Sequence, residues 1–312
     1  MPLATNIESL LGVRLTAADG TLMPSELLRW FPAASRSFDG CNTYYGINKV
    51  NVALFECSGK TEALNMRHVS VLNALVAELH ASTKNQYTLN ISLEPLEEVK
   101  PYDYVANHLD LVKRLAQELD ACQKKVVDTN PAKRLRIIVR FASEMNDTAI
   151  GDDGKLINKY AGDPDSFKKS FEDVSRVFKQ SAPDVEMAFS PAARADLKEA
   201  DVHAYWPGPD VVDIISCTWY IGDISQIADA TLFFTDYFLH RQGLPKSFGI
   251  DEFGGCKTVN RDQPDETGKD NDEILQGMND TIKTLIASGI KFSYASIFFD
   301  SKWGVDAKLD WL

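Results

Sequence analysis

Short apolar runs rich in Val, Ile, Leu and Phe alternate along this chain with longer segments in which apolar residues recur every three or four positions. Short runs of this kind are typical of buried strands, and the longer period is typical of amphipathic helices. We predict eight strands, which cover Leu10–Thr16, Val50–Cys57, Tyr87–Glu94, Leu135–Ser143, Val185–Pro191, Val211–Tyr220, Ser247–Glu252 and Phe292–Asp300.

The predicted helices lie between these strands, and each carries an apolar stripe on one face. The stripes lie in Glu62–Ala81, in Tyr104–Lys124, along Phe167, Phe171, Val174 and Phe178, and along Ile274, Leu275, Met278, Ile282, Leu285 and Ile286. Strands and helices alternate without an intervening Pro/Gly/Ser-rich linker. The pattern therefore predicts an α/β fold, a single (β/α)8 TIM barrel that spans residues 1–312 as one domain.

A doubly wound open sheet is the competing fold for such an alternation. That fold usually carries a Gly-rich turn after its first strand, where a dinucleotide binds. Residues 11–17 contain one glycine, Gly12, and no such turn. The sequence therefore favours the barrel and predicts no dinucleotide site.

Two glutamates stand at the ends of predicted strands, Glu144 just after the fourth and Glu252 at the end of the seventh. The active sites of TIM barrels form at the C-terminal ends of the strands, so we expect both side chains at one mouth. Two facing carboxylates can supply the acid/base and the nucleophile that cleave a glycosidic bond. This pair is the candidate catalytic pair.

Arg140 is expected on the same side of its strand as Ala142 and Glu144, because side chains alternate along a strand. A buried arginine needs an acidic partner, and Glu94, which ends the third predicted strand, is a candidate. An ion pair that supports the mouth and a direct contact with a sugar stay open as two roles for Arg140.

Composition narrows the possible partners. The net charge of −12 argues against a nucleic acid, because phosphates are held mainly by Lys and Arg. No run approaches the roughly 20 apolar residues that span a bilayer. We expect a secreted protein, with a cytoplasmic location left open. Because the first residues lack a basic segment followed by an apolar one, its signal is absent from this chain or was removed. We also expect a monomer.

Other kinds of active site find no support in the sequence. The five histidines show neither HxH nor HExxH spacing and the five cysteines show no CxxC spacing, so we predict no metal. No serine lies in a GxSxG motif, and no lysine ends a strand in a way that indicates a Schiff base. We therefore predict no cofactor.

Several motifs occur in the order in which one family has them: Ile91–Pro95, Ile138–Asn146, Trp206–Asp213, Trp219–Tyr220 and Gly249–Gly254. Together they resemble glycoside hydrolase family 26, whose known members are mostly β-mannanases within the (β/α)8 clan of retaining glycosidases. The resemblance covers most of the chain. It implies that Glu144 is the general acid/base and Glu252 the nucleophile, with Tyr220 hydrogen-bonded to Glu252 and Arg140 supporting the site.

Substrate contacts follow from the same resemblance and from the aromatic residues near strand ends, since sugar rings stack on aromatic faces. The residues expected to contact or support the sugar are Arg140, Tyr220, Glu94, Trp206, Trp219, Ser143, Asn146 and Trp303. The chain departs from the family at two positions. Ser143 stands where family members typically have His, and no Trp follows Asn146 closely, so we expect a substrate other than ordinary mannan.

The sequence thus predicts a retaining endo-glycosidase that hydrolyses a β-linked polysaccharide, either mannan-like or a related glycan. Two alternatives remain: a non-catalytic glycan-binding barrel of the same fold, and a barrel enzyme of another class. The retained pair of glutamates argues against the first alternative, and the lack of metal, phosphate and Schiff-base signals argues against the second. The sugar, its linkage and the cleavage mode stay open.

Overall fold

The structure of the protein, a computed structural model, describes residues 11–14, 40–47, 85–95, 99–151, 154–156, 158, 160–193, 199–221, 247–255 and 280–297. Its strands form a closed barrel in sequence order, and every strand is parallel to both neighbours. The predicted (β/α)8 TIM barrel is confirmed. The strands are β1 (Leu11–Arg14), β2 (Gly40–Ile47), β3 (Gln86–Pro95), β4 (Arg134–Phe141), β5 (Glu186–Phe189), β6 (Ile214–Ile221), β7 (Ser247–Gly255) and β8 (Phe292–Ile297).

The second strand differs from the prediction. The barrel uses Gly40–Ile47, which pairs in parallel with β1 on one side and β3 on the other. Its sequence, Gly-Cys-Asn-Thr-Tyr-Tyr-Gly-Ile, contains a single aliphatic residue, so the search for apolar runs did not find it. The predicted strand Val50–Cys57 and the predicted helix Glu62–Ala81 lie outside the described residues.

The helices of the described part are α1 (Pro101–Asn107), α2 (Leu109–Thr129), α3 (Pro164–Ser181) and α4 (Glu199–Tyr205), and residues 280–287 are also helical. The single helix predicted over Tyr104–Lys124 is therefore two helices with a break at His108. The backbone of His108 leaves the helical region, with φ −131° and ψ 38°. Its ring nitrogen Nδ1 lies 2.8 Å from the Tyr104 carbonyl oxygen, so the side chain satisfies a carbonyl at the break.

Strand β3 is buried on both faces. On β3, Leu89, Ile91 and Leu93 belong to the large core between strands and helices. Thr88, Asn90 and Ser92 alternate with them and are equally buried, on the barrel side. A strand that is buried on both faces but polar on the inner one indicates a barrel whose interior holds polar groups.

An apolar plug fills one layer of the barrel interior. It is a small cluster separate from the large core and consists of Ile138, Ala188, Ile214 and Tyr294. Arg140 lies two residues beyond Ile138 on β4 and is fully buried. The interior therefore changes from apolar to polar toward the C-terminal ends of the strands, where the candidate residues were expected.

The phenylalanine stripe predicted for the third helix is confirmed on α3, since Phe167, Phe171, Val174 and Phe178 are all fully buried. Phe167 is the centre of this packing. Its ring lies 6.4 Å from that of Phe141 on β4 and 5.8 Å from that of Tyr205 on α4, measured between centroids. Each buried aromatic ring contributes roughly 1.5–3 kcal/mol through removal from water, so the stripe fixes α3 against the barrel.

The start of α3 gives a test of the fold. Asp163 is its N-cap, and its Oδ1 accepts a hydrogen bond from the Ser166 amide at 3.1 Å. Asp163→Ala should lower the free energy of unfolding in urea by about 1 kcal/mol, because an amide of the first turn loses its partner. Asp163→Asn keeps an acceptor and should lose clearly less. An equal loss in the two variants would contradict the capping role.

Candidate active site

The chain turns sharply after β4, and this turn places Glu144. Both Ala142 and Glu144 have left-handed backbones, with φ of 49° and 59°. Such conformations cost non-glycine residues roughly 1–2 kcal/mol each and persist where the surroundings hold them. Here the Ala142 amide donates to the Leu93 carbonyl at 2.9 Å, and the Glu144 amide donates to the Ser190 carbonyl at 2.8 Å. The ends of β3 and β5 thus hold the turn between them.

The Glu144 carboxyl group is held by donors from two elements. Thr218 Oγ1 on β6 donates to Oε1 at 2.5 Å. Asn158 Nδ2 lies 3.5 Å from Oε2 and 3.3 Å from the Glu144 carbonyl oxygen. The short contact fixes Oε1, while Oε2 has the weaker one.

Burial raises the pKa of Glu144 from 4.5 to about 7, and the negative charge of Glu252 acts in the same direction. The hydrogen bond from Thr218, the charge of Arg140 and the contact with Asn158 all lower the pKa, but by less. A carboxyl group with this pKa is protonated in a large fraction of molecules near neutral pH. Glu144 can therefore donate a proton, as the sequence analysis expected of an acid.

Glu252 forms a buried ion pair with Arg140, whose Nη2 donates to Glu252 Oε1. Arg140 is fully buried and Glu252 is 7% exposed. Glu94 is the acidic partner expected from the sequence, but the ion pair that the structure shows for Arg140 is with Glu252. A guanidinium that donates to a carboxylate stabilises its ionised form. The two glutamates therefore stand in opposite environments.

A β-bulge brings Glu252 to the barrel side. Cys217 on β6 pairs with Ile250 and the next residue, Thr218, pairs with Glu252, so Asp251 is an extra residue on β7. Asp251 is fully buried, and its Oδ1 accepts from Asn90 Nδ2 at 3.0 Å. The sequence analysis missed Asp251. An acid next to a candidate nucleophile inside a predicted buried strand was the signal for it.

Ser143 and Glu94 belong to one chain of hydrogen bonds at the end of β3. Ser92 Oγ donates to Glu94 Oε1 at 3.0 Å and lies 3.1 Å from Ser143 Oγ. The Ser143 carbonyl accepts from the Tyr160 hydroxyl at 2.8 Å. The Ser143 side chain, which is buried, is thus engaged with β3.

The structure gives Asn146 and Trp206 supporting contacts. The Asn146 side chain bridges the backbone of Ala192, donating to its carbonyl at 3.0 Å and accepting from its amide at 2.8 Å. The Trp206 ring packs edge-on against Phe189 at 5.2 Å, and Phe189 belongs to the large core outside the barrel. A contact between either side chain and a sugar stays a prediction.

The three remaining candidates are placed only in part. Trp219 and Tyr220 lie on β6, where their backbones pair with Phe253 and Gly254, the two residues after Glu252. Their side chains, and all of Trp303, lie outside the described residues. The predicted hydrogen bond between Tyr220 and Glu252 stays a prediction.

The described residues form neither a metal site nor a membrane span. Among them, no group of three or more His, Cys, Asp or Glu side chains is arranged to hold a metal ion. No helix in this part of the chain is both long and apolar enough to cross a membrane.

Comparison with known proteins finds likeness in structure alone. No family model matches the sequence, and no curated protein matches it closely enough to be a relative. The catalytic domain of the family 26 endo-β-1,4-mannanase of Bacillus sp. JAMB-750 superimposes with a TM-score of 0.59 at 16% identity, over 93% of this chain and 76% of that chain.

Two further structures agree. The family 26 β-mannanase of Bacteroides ovatus has a TM-score of 0.58 at 12% identity, over 94% of this chain and 81% of its own. The modular endo-β-1,4-mannanase of Cellulomonas fimi has a TM-score of 0.59 at 13% identity, over 96% and 66%. At these identities the likeness establishes the fold. The chain therefore has the barrel fold of glycoside hydrolase family 26 mannanases, as the sequence motifs suggested.

The raised pKa of Glu144 has a consequence for stability. Because its pKa is 4.5 in an exposed state and about 7 in the folded protein, the folded state holds the proton more tightly. Ionising Glu144 thus destabilises the fold progressively as the pH rises from about 4.5 to about 7. Glu144→Gln removes this cost, so its stability relative to wild type should rise by up to about 3 kcal/mol between pH 4 and pH 8.

Urea unfolding of the two proteins at several pH values measures this difference. Glu172→Gln is the matched control, because Glu172 is an exposed residue of α3. Its stability relative to wild type should stay level across the same pH range. A level difference for Glu144→Gln as well would contradict the raised pKa.

Proposed function

We propose that this protein is a retaining endo-glycosidase that cleaves a β-linked polysaccharide. The observation that carries the proposal is the contrast between two carboxyl groups at the C-terminal ends of β4 and β7. Burial and the charge of Glu252 raise the pKa of Glu144 to about 7, so a large fraction of molecules keeps its proton near neutral pH, and Glu252 is paired with a buried arginine. In a double displacement the acid must be protonated and the nucleophile must be ionised, which these two environments favour.

In the first step, a Glu252 oxygen attacks the anomeric carbon while Glu144 protonates the departing glycosidic oxygen. The proton is best placed on Oε2, because Oε1 already accepts the short hydrogen bond from Thr218. The products are a glycosyl-enzyme ester at Glu252 and a shortened polysaccharide with a new hydroxyl group.

In the second step, Glu144 is ionised and acts as the base. It takes a proton from a water molecule that attacks the anomeric carbon, and Glu252 leaves as a carboxylate. Once Glu252 is esterified, its negative charge no longer raises the pKa of Glu144. The loss of that charge favours the ionised form of Glu144, which is the form that the second step needs.

Arg140 supports both steps through Glu252. In the free protein the ion pair orients one oxygen of Glu252 and stabilises its charge. Because the guanidinium is fully buried, it has little freedom to follow a side chain that moves. We assign Arg140 the role of holding the nucleophile, in preference to direct contact with the sugar.

A polysaccharide substrate is supported by the likeness to endo-β-mannanases of several bacteria. Ser143 supports a substrate that differs from plain mannan, since its short side chain is turned toward Ser92. We expect the barrel to act alone, as a monomer without a cofactor, on a glycan outside the cell.

Replacement of each of the two glutamates should change the activity in a different way. Glu252→Ala should abolish turnover with the fold intact, and azide should restore some turnover with an inverted product, because it replaces the missing nucleophile. Glu144→Ala should slow polysaccharide cleavage far more than cleavage of activated aryl glycosides, whose leaving group needs no proton. Rates on both substrate types and the anomer first formed, followed by NMR, measure these effects.

Retention of configuration requires carboxyl groups about 5 to 5.5 Å apart, whereas inversion requires roughly 6.5–9.5 Å. We expect the short separation between Glu144 and Glu252, and therefore expect the β-anomer to form first in the wild-type reaction. An α-anomer, or equal losses of Glu144→Ala on both substrate types, would contradict the assigned roles.

The position of Ser143 makes a prediction about the substrate. A site that hydrogen-bonds one hydroxyl discriminates strongly, so a serine in place of a histidine should change the sugar accepted at the cleavage point. We expect weak or no activity on plain β-1,4-mannan and higher activity on a different or decorated β-glycan. Initial rates of reducing-end release from mannan, galactomannan, mixed-linkage glucan, xylan and amino-sugar polymers measure this preference.

Ser143→Ala is the matched variant for this experiment. It removes the hydroxyl that faces Ser92 without adding a new contact, so it should leave the order of substrates unchanged. Preferential cleavage of unsubstituted mannan by the wild type would show that the lack of a histidine at position 143 does not set the specificity.

A further inference from the structure

The β7 bulge decides which way Glu252 points. In a regular strand successive side chains point to opposite faces, so adjacent Asp251 and Glu252 would separate, one inward and one toward the helices. Instead Asp251 contacts Asn90 on β3 and Glu252 contacts Arg140 on β4, both on the barrel side. One extra residue, a β-bulge, allows this arrangement.

The register shows the extra residue on both sides of β7. Toward β6, Asp251 falls between two consecutive partners, as described above. Toward β8, Ile250 pairs with Ala295 and Phe253 with Ile297, so three steps on β7 match two on β8. The bulge therefore lies at residues 251–252, at the candidate nucleophile itself.

The Asp251 side chain is fixed from two other strands. Its Oδ1 accepts from Asn90 Nδ2 and from the Tyr294 hydroxyl on β8. Both donors are almost fully buried. A side chain with two buried donors on one oxygen has little rotational freedom, and its backbone is held with it.

Gly249 lets Tyr294 reach this position. A Cβ atom at Gly249 would lie 2.5 Å from Cε1 and 2.7 Å from Cζ of the Tyr294 ring. The ring therefore lies directly against the backbone of β7, with its hydroxyl at Asp251. We call Asn90, Gly249, Asp251 and Tyr294 the bulge cluster.

We propose that Asp251 is a positioning residue for Glu252: held by Asn90 and Tyr294, it fixes the β7 bulge so that Glu252 meets Arg140. The inference rests on the proposed function only in naming Glu252 the nucleophile. The cluster acts on Glu252 through two separable effects. Its hydrogen bonds hold the geometry of the ion pair, and the Asp251 carboxylate places a second negative charge beside Glu252.

The charged and titratable groups around Asp251 and Glu252 set the signs of these effects. Among the described residues these groups are Arg140 from β4, Glu144 from the turn after β4, Cys217 from β6 and Tyr294 from β8. Burial and the charge of Asp251 raise the pKa of both Cys217 and Tyr294, so both are neutral at ordinary pH. Arg140 is therefore the one cation of this set, and it pairs with Glu252.

Two substitutions separate geometry from charge. Asp251→Asn keeps an oxygen acceptor for both donors and removes the charge, so the titration midpoint of Glu252 should fall by about one pH unit. Tyr294→Phe keeps the charge and the ring but removes one of the two donors that hold Asp251. The ion pair of Glu252 should then weaken, and its midpoint should rise by about half a pH unit. The opposite signs distinguish positioning from a general loss of stability.

The midpoint is measured without substrate, by ¹³C NMR of glutamate carboxyl groups, with the Glu252 signal assigned by its absence in Glu252→Gln. Two matched controls exist. Asp213→Asn removes a carboxylate that accepts from the Met187 amide, and Tyr205→Phe removes a buried hydroxyl that accepts from the Gly162 amide. Neither should move the Glu252 midpoint.

Activity on galactomannan gives the second measurement. Tyr294→Phe should lower kcat about tenfold and leave KM within about twofold, because a displaced nucleophile slows attack without weakening binding.

Shifts of the Glu252 midpoint in the same direction in both variants, or no shift beyond the controls, would overturn the inference. If Asp251→Asn does not fold, an unchanged midpoint in Tyr294→Phe overturns it alone. If galactomannan is not cleaved, the proposed substrate is in question while the titration still decides the role of Asp251.

Discussion

The buried ion pair between Arg140 and Glu252 is the interaction on which the rest of the site depends. A fully buried guanidinium is costly unless a carboxylate meets it. Once Glu252 fills that role it carries the charge, and a second carboxyl group in the same buried surroundings is driven toward its neutral form. Glu144 is that second group, with its pKa near 7. The different charge states of two chemically identical side chains thus follow from the arginine that pairs with Glu252 and from the burial of Glu144.

The barrel tolerates this polar interior because its layers differ. Ile138 and Tyr294 belong to an apolar plug, while Arg140 lies one inward position further along β4. The large core between strands and helices supplies the apolar burial, with Phe167 at its centre. The outer faces of the strands therefore supply the apolar burial, and the inner faces carry the polar groups of the candidate site. Burying polar groups at the mouth costs less folding free energy than it would in a fold with a single core.

The sequence predicted those features that depend on short-range pattern. The apolar strands, the stripe on α3 and the positions of Glu144 and Glu252 at strand ends all follow from it. Strand β2 was not predicted because its residues form no apolar run. The break at His108 was not predicted because it depends on one backbone conformation. The partner of Arg140 and the bulge at Asp251 depend on the register between strands that are distant in sequence. This register cannot be predicted from a single sequence. The left-handed backbone of Glu144 is likewise imposed by hydrogen bonds from neighbouring strands.

The contact between Gly249 and Tyr294 also restricts how this barrel can diverge. The two residues share one volume, since the tyrosine ring occupies the space that any side chain at position 249 would need. Position 249 therefore cannot gain a side chain unless the ring at 294 moves or is lost. Among descendants of this sequence, enlargement at 249 should therefore be accompanied by loss of the aromatic ring at 294, and that paired replacement would mark a lineage in which β7 is held in another way.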